Sequence, residues 1–197
     1  MHFGIANDLI FESGALARVG EIVSERFEAK KILVVCGKSL FRSGKGEKMI
    51  ESLDECGIAW EKFDEVPQDP TDVSVDAAAA RFRGAGFQLV LAVGGGSVMD
   101  FSKSLCVCLT NDRPISTVEN APGVEHKPIP LVAVPTTAET GSEVTSFAIV
   151  TDTAEVRKAV VAGPWMRAAL ALCDPTLLQS LPRHLTAYRY GRAHTRH

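Results

Sequence analysis

Several things are scarce in this chain of 197 residues. No apolar run approaches the roughly 18–20 residues of a membrane span, so a membrane partner is not expected. The start, MHFGIANDLI, lacks the basic-then-apolar layout of a signal peptide. Positive charge is in slight deficit, with 21 Lys and Arg against 24 Asp and Glu and a formal net charge of −3. With no basic block and aromatics at only 7%, the chain has little with which to hold nucleic acid. Cysteine pairs of zinc-ribbon or redox C-x-x-C spacing are missing: Cys106 and Cys108 form C-x-C, while Cys36, Cys56 and Cys173 stand alone. Reduced thiols in a cytoplasmic protein are the expectation. What is present is core material, 46% hydrophobic and 23% charged residues, as in ordinary globular proteins. The length allows one large domain or two small ones.

Along the chain, apolar runs alternate with helical stretches. Lys31–Cys36 (KILVVC) reads as a buried strand, being short, β-branched and followed by Gly37. Residues 47–56 then read as an amphipathic helix ended by Gly57, and 58–63 as a second strand. VPQDPT at 66–71 is a turn, and 72–84 an Ala-rich helix. Strands follow at 87–93 and 129–134 with a helix at 97–109 between them, and a further strand at 147–151. Strands separated by helices of this length need crossover connections, which make the strands parallel and place helices on both faces. The expected fold is an α/β, open, mainly parallel doubly wound sheet. Ligands bind such sheets beyond the carboxyl ends of the strands, which directs attention to the residues after Val35, Val93 and Val134.

Two loops fall there. In GGGSVMDFSK, Gly94, Gly95 and Gly96 leave the backbone bare before a helix start, where unpaired N–H groups and a partial positive charge suit a pyrophosphate. Ser97 and Asp100 have the S-x-x-D spacing of a capping box. The loop is not the G-x-G-x-x-G dinucleotide fingerprint, and by itself it is equally well explained as a capped helix after a tight turn. PTTAETGSEVT carries Thr136, Thr137, Thr140, Ser142 and Thr145, hydroxyls that can donate to phosphates or a carboxamide without adding charge. An ordinary polar loop has the same composition. The two loops gain weight by lying on one binding edge.

GGGSVMDFSK resembles the GGGSxxDxAK signature of iron-containing (group III) alcohol dehydrogenases, and PTTAETGSEVT resembles that family's PTTxGTGSEVT. VPQDPT and CDPTLLQSLPRHLTA, the latter similar to the family's DPxLTxxLPxxxTA, extend the likeness over residues 11–187. The resemblance implies an amino-terminal dinucleotide domain, Rossmann-like, and a carboxy-terminal helical domain that binds iron or zinc. It implies hydride transfer between an alcohol and an aldehyde or ketone through NAD(P). Carried over by motif, Gly94, Gly95, Gly96, Ser97 and Asp100 hold the pyrophosphate side, and Thr136, Thr137, Thr140, Ser142 and Thr145 line the path from adenine to nicotinamide. Lys158 in EVRKAVV lies near the ribose and Leu177 in DPTLL near the adenosine. Three departures stand out. Glu139 replaces the family's Gly, placing a carboxylate near a phosphate-bearing cofactor. Ala168 and Ala169 replace a commoner Pro-Asp pair. Where NAD-preferring members often carry Asp after the first strand, this chain has Cys36-Gly37-Lys38-Ser39; Gly37 removes a repulsion and Lys38 and Ser39 offer donors, so NADP is expected over NAD.

After LTA the family continues TGMDALTHAIE, whose Asp and His, spaced i, i+4 on one helix face, are its first two metal ligands. This chain reads instead Tyr188 to His197, YRYGRAHTRH. The codons ATG GAC GCG CTC ACA CAC GCC AT encode MDALTHA. Read one base earlier after a T, they become TAT GGA CGC GCT CAC ACA CGC CAT, which spells Tyr190 to His197 without a mismatch. The expectation is a dinucleotide domain at 1–187, an out-of-frame tail at 188–197, and no metal ligands among His184, His194 and His197, since a catalytic metal needs several ligands on a fixed scaffold. The chain alone is then expected to be inactive, with an apolar docking face exposed. Alternatives from other classes are a stand-alone nucleotide-binding module and a non-functional gene fragment. Within the family, hydroxyacid–oxoacid transhydrogenase and maleylacetate reductase stay open. A small alcohol or aldehyde is the expected partner, and a homo-oligomer is compatible with the pattern.

Overall fold

The computed structural model describes residues 8–180 apart from 43, 120–122 and 138–139. The first strand is β1 (Leu9–Phe11), followed by a 3-10 turn (Ala15–Arg18) and α1 (Val19–Phe27). Then come β2 (Lys31–Cys36), α2 (Ser39–Arg42), α3 (Lys45–Glu55), β3 (Ala59–Phe63), α4 (Asp72–Phe82), β4 (Leu89–Gly94), α5 (Gly96–Thr110) and β5 (Leu131–Pro135). β6 (Phe147–Asp152) and β7 (Arg157–Ala162) form an antiparallel hairpin, and β8 (Leu170–Cys173) precedes a 3-10 turn at Pro175–Ser180.

Six strands form one parallel sheet in the order β1-β8-β5-β4-β2-β3, so the expected doubly wound architecture is present. The chain runs outward from β2 to β3, returns through α4 to β4 on the other side of β2, and continues to β5. That reversal opens a crevice between the carboxyl ends of β2 and β4, the place where such sheets receive ligands.

The central strands are buried on both faces, as parallel strands with helical cover must be. Ile32, Val34, Cys36, Leu89, Leu91 and Val93 pack with α1 and α3, while Leu33, Val35, Val90 and Ala92 pack with α4 and α5. On the α4–α5 side, Phe63 stacks on Phe101 at 5.4 Å and meets Phe82 edge-on at 5.7 Å. On the other, α1 and α3 touch at Gly20, whose amide donates to Ser52 Oγ at 3.0 Å. The β6–β7 hairpin lies over α5 and contributes Ala148, Val150 and Val161 to its core. This second cover explains why α5 is apolar nearly all round: from Phe101 to Leu109 every residue is buried, including Lys103.

β1, α1, α2, β7 and β8 were not distinguishable in the sequence pattern. β1 and β8 are only three and four residues long, too short to show a period. β7 alternates only when the hairpin gives it an inner face.

Candidate functional site

The loops that leave β2, β4 and β5 emerge side by side, because those three strands are neighbours. The glycine turn and the hydroxyl loop are in contact. Thr136 N donates to the Gly94 carbonyl at 2.9 Å. A Cβ on Gly95 would stand 3.1 Å from Thr137 Oγ1, and one on Gly96 would stand 2.9 Å from Thr140 Cγ2. A Cβ on Gly94 would meet Val98 at 2.5 Å. None of the three has a positive φ, so close approach is what demands glycine here. α5 starts at Gly96 with Gly95 as N-cap and no side-chain cap, which leaves its first amides without a helical acceptor. Thr137 Oγ1 is buried beside this turn without a hydrogen-bond partner.

The capping box suggested by Ser97 and Asp100 does not form. The helix begins one residue before Ser97, so Ser97 is already inside the first turn. Its hydroxyl donates to the carbonyl of Gln68, in the VPQDPT turn. The reciprocal box lies instead at the start of α4: Thr71 Oγ1 accepts from Ser74 N and Ser74 Oγ from Thr71 N. Asp100 turns away from the glycine loop and accepts from Ser142 Oγ at 2.5 Å and Ile149 N at 3.2 Å. Burial raises the pKa of its carboxyl, against those two hydrogen bonds and nearby Lys103.

Lys103, one helical turn further on, closes the GGGSVMDFSK motif, and its role is not visible in the sequence pattern. It is 2% exposed. Its ammonium donates to the carbonyls of Thr145 (2.9 Å) and Phe147 (2.8 Å) and to Thr145 Oγ1 (3.0 Å), with Ser142 Oγ at 3.5 Å. Burial lowers its pKa to about 8, with Asp100 and Glu143 opposing. The structure thus brings Asp100, Ser142 and Thr145 together, but around Lys103 and not at the open crevice.

Thr140 is exposed at the crevice; Glu139, with its bearing on cofactor affinity, lies outside the described residues. Lys158 on β7 stands exposed, paired with Asp69 of the VPQDPT turn and bonded to Thr151 Oγ1 at 2.9 Å. The hydrogen bond from Lys158 holds the Asp69 carboxyl below its usual range. Gly37 caps the end of β2, its amide bonded to the Val93 carbonyl at 3.4 Å, and a Cβ there would meet only Ser39 Oγ at 3.9 Å. Lys38 and Ser39 are exposed. Leu177 packs into the core at 4% exposure, while its neighbour Leu178 lines an open pocket of about 150 Å³ with Phe11, Thr137, Glu143 and Cys173. Thr137 and Glu143 belong to the hydroxyl-loop motif and Cys173 and Leu178 to CDPTLLQ, while Phe11 carries no motif signal; the sheet order is what brings these segments together. Asp174, also fully buried, anchors this corner by accepting from Gly14 N, Leu16 N and Thr176 N. Burial alone would raise its pKa, but those amides and the Thr176 hydroxyl hold it below the usual value.

Among the described residues no cluster of three or more His, Cys, Asp or Glu could hold a metal ion. His184, His194 and His197 lie outside them. No helix of the described residues is long and apolar enough to cross a membrane.

The sheet order, the crevice at its reversal and the glycine turn at a helix start define a Rossmann-like domain of the nucleotide-binding type. The family model for iron-containing alcohol dehydrogenase matches residues 6–175, and the chain belongs to that family. It is 36% identical over 177 residues to a choline dehydrogenase of Bacillus subtilis (strain 168), covering 88% of this chain and 44% of that protein. A crystal structure of 1,3-propanediol oxidoreductase superposes with a TM-score of 0.88 at 31% identity, over 95% of this chain and 49% of that one. Sulfoacetaldehyde reductase from Bifidobacterium kashiwanohense, solved with NAD+, gives a TM-score of 0.84 at 30% identity, over 94% and 49%. The chain spans about half the length of these relatives.

Proposed function

We propose that this chain supplies the nicotinamide-dinucleotide site of a metal-dependent alcohol dehydrogenase. One observation carries the proposal: the glycine turn and the hydroxyl loop close on each other at an uncapped helix start, with the Thr137 hydroxyl buried there and unpartnered. These features fit a dinucleotide. The amides at 96–98 suit the pyrophosphate, Thr137 and Thr140 offer hydroxyls beside it, and Lys158 can reach a ribose by leaving Asp69. The pocket floored by Leu178 suits the adenosine, with Leu177 supporting it from the core. When bound, the nicotinamide accepts or delivers the hydride. This chain's own contribution is to bind and orient it, and to fix the depth of the crevice.

For coenzyme choice we propose NADPH over NADH, because Gly37 leaves open space directly after β2, where Lys38 and Ser39 add donors, and the nearby carboxylate of Asp64 is already paired with Lys62. Titration of the 197-residue chain with both reduced nucleotides tests this. Tighter NADPH binding is expected; tighter NADH binding sinks the preference, and binding of neither sinks the site. Gly37→Asp should shift the balance toward NADH.

Among the described residues no cluster of three or more His, Cys, Asp or Glu fits the iron or zinc implied by the family. We assign nucleotide binding to 1–187 and, on the codon register alone, read 188–197 as the metal-ligand helix translated out of frame. A small alcohol or aldehyde is the substrate class once that helix is restored. DNA lacking the MDALTHA frame ends the second part, and metal-dependent turnover by the 197-residue chain refutes its inactivity.

A further inference from the structure

We propose that Lys103 is a positioning residue for the nucleotide, acting as the hub of a buried clamp through which α5 fixes the second binding loop. The proposal rests on the nucleotide-binding function above and adds the device that keeps its two loops in register.

The segment 141–147 has little structure of its own. Val144 N and Thr145 N both donate to the Gly141 carbonyl, at 3.0 and 3.2 Å, and ladder pairing resumes only at Phe147. The bonds that would otherwise be missing come from α5. Asp100 takes the Ser142 hydroxyl and the Ile149 amide, and Lys103 takes the two carbonyls of Thr145 and Phe147 and the Thr145 hydroxyl. With three protons and three close acceptors, the ammonium is fully used. All of its acceptors lie in this one segment and none in its own helix. The same helix begins at the glycine turn. Two successive turns of α5 therefore present the bare amides at one end and grip the returning hydroxyl loop at the other. Asp100, Ser142 and Thr145 have their side chains committed to this clamp, so their effect on a nucleotide runs through the placement of Thr137 and Thr140 at the far end of the loop.

An ammonium is a costly choice for a buried structural position. An apolar side chain of similar length removes the desolvation cost of the charge but leaves the Thr145 and Phe147 carbonyls and the Thr145 hydroxyl without the ammonium, two effects of opposite sign on stability. Stability and binding should therefore separate. The experiment compares the 197-residue chain with Lys103→Met and with a Ser142→Ala/Thr145→Val double variant. Three quantities are read: thermal midpoint, affinity for NADPH and NADH from the fluorescence of the reduced nicotinamide, and amide hydrogen exchange. Lys103→Met is expected to keep its thermal midpoint, to lose about tenfold or more in affinity, and to exchange faster across 141–149 while β2 and β4 stay protected. The double variant should weaken binding in the same direction, and it decides the matter if Lys103→Met does not fold. Unchanged affinity in a folded variant overturns the positioning role, as does a parallel fall of midpoint and affinity with faster exchange throughout the sheet. Failure of the unaltered chain to bind either nucleotide overturns the function on which the role depends, and is seen before any variant is made.

Discussion

Replacing Asp174 by Asn tests how the corner beneath the open pocket is held. The carboxylate accepts from Gly14 N at 2.9 Å, Leu16 N at 3.1 Å, Thr176 N at 3.0 Å and Thr176 Oγ1 at 2.7 Å, so both oxygens are used. An amide keeps one oxygen. Facing Oδ1's three donors, it turns its NH2 towards the Leu16 amide, and two donors then oppose each other in a buried place. An unsatisfied buried donor costs roughly 1–3 kcal/mol, and the remaining bonds lose the charge that strengthened them, for a total of about 3 kcal/mol. In a chain of this size that lowers the thermal midpoint by about 6–12 °C. Urea unfolding followed by Trp60 and Trp165 fluorescence gives the free energy directly. The acid limb gives a second reading. The folded carboxyl has a pKa below its ordinary value of 3.8. Its contribution is therefore complete above the unfolded value and is lost as pH falls through the folded one. Asp174→Asn should flatten that part of the profile. A loss within the roughly 0.5 kcal/mol typical of surface changes, or an unaltered acid limb, refutes the reasoning.

Gly20→Ala should destabilise the chain by about 3 kcal/mol in the same unfolding assay, since its Cβ would fall 2.0 Å from the Ser52 carbonyl oxygen and force α1 from α3. Val156 sits at the hairpin tip with φ 52 and 86% exposure. Val156→Gly should raise stability by about 0.5–1 kcal/mol, the left-handed cost removed less the chain entropy of glycine. Lys103, with a folded pKa of about 8 against 10.5 unfolded, releases its proton earlier when folded, so its contribution to stability increases as pH rises between those values, by about 3 kcal/mol in all. Buried Cys36, raised to about 11 from 9.0 by burial, works oppositely above pH 9.0. The difference between the native and Lys103→Met pH profiles isolates the lysine.

The fold was legible wherever a strand was long and buried. KILVVC and the run ending at Val93 announce themselves because both faces are covered. The loops that follow them carry glycine and hydroxyl signals tied to chemistry. Other features depend on partners distant in sequence. Lys103 looks like a helix surface residue until the β6–β7 hairpin covers it. Ser97 and Asp100 have capping-box spacing, but the helix start one residue earlier changes what each can reach. Leu177 and Leu178 are alike in composition; only the turn held by Asp174 decides which enters the core and which lines the pocket.

β1 pairs with β8, and the turn after β1 is fastened to Asp174, about 160 residues away in sequence. Leu9 to Phe11 find their sheet partners only near the end of the described residues. Until β8 is in place this strand has nowhere to dock, and the loop that must close to seat it is among the longest the sheet contains. Closing such a loop is slow, so β1 is expected to be secured late in folding although it stands first among the described strands.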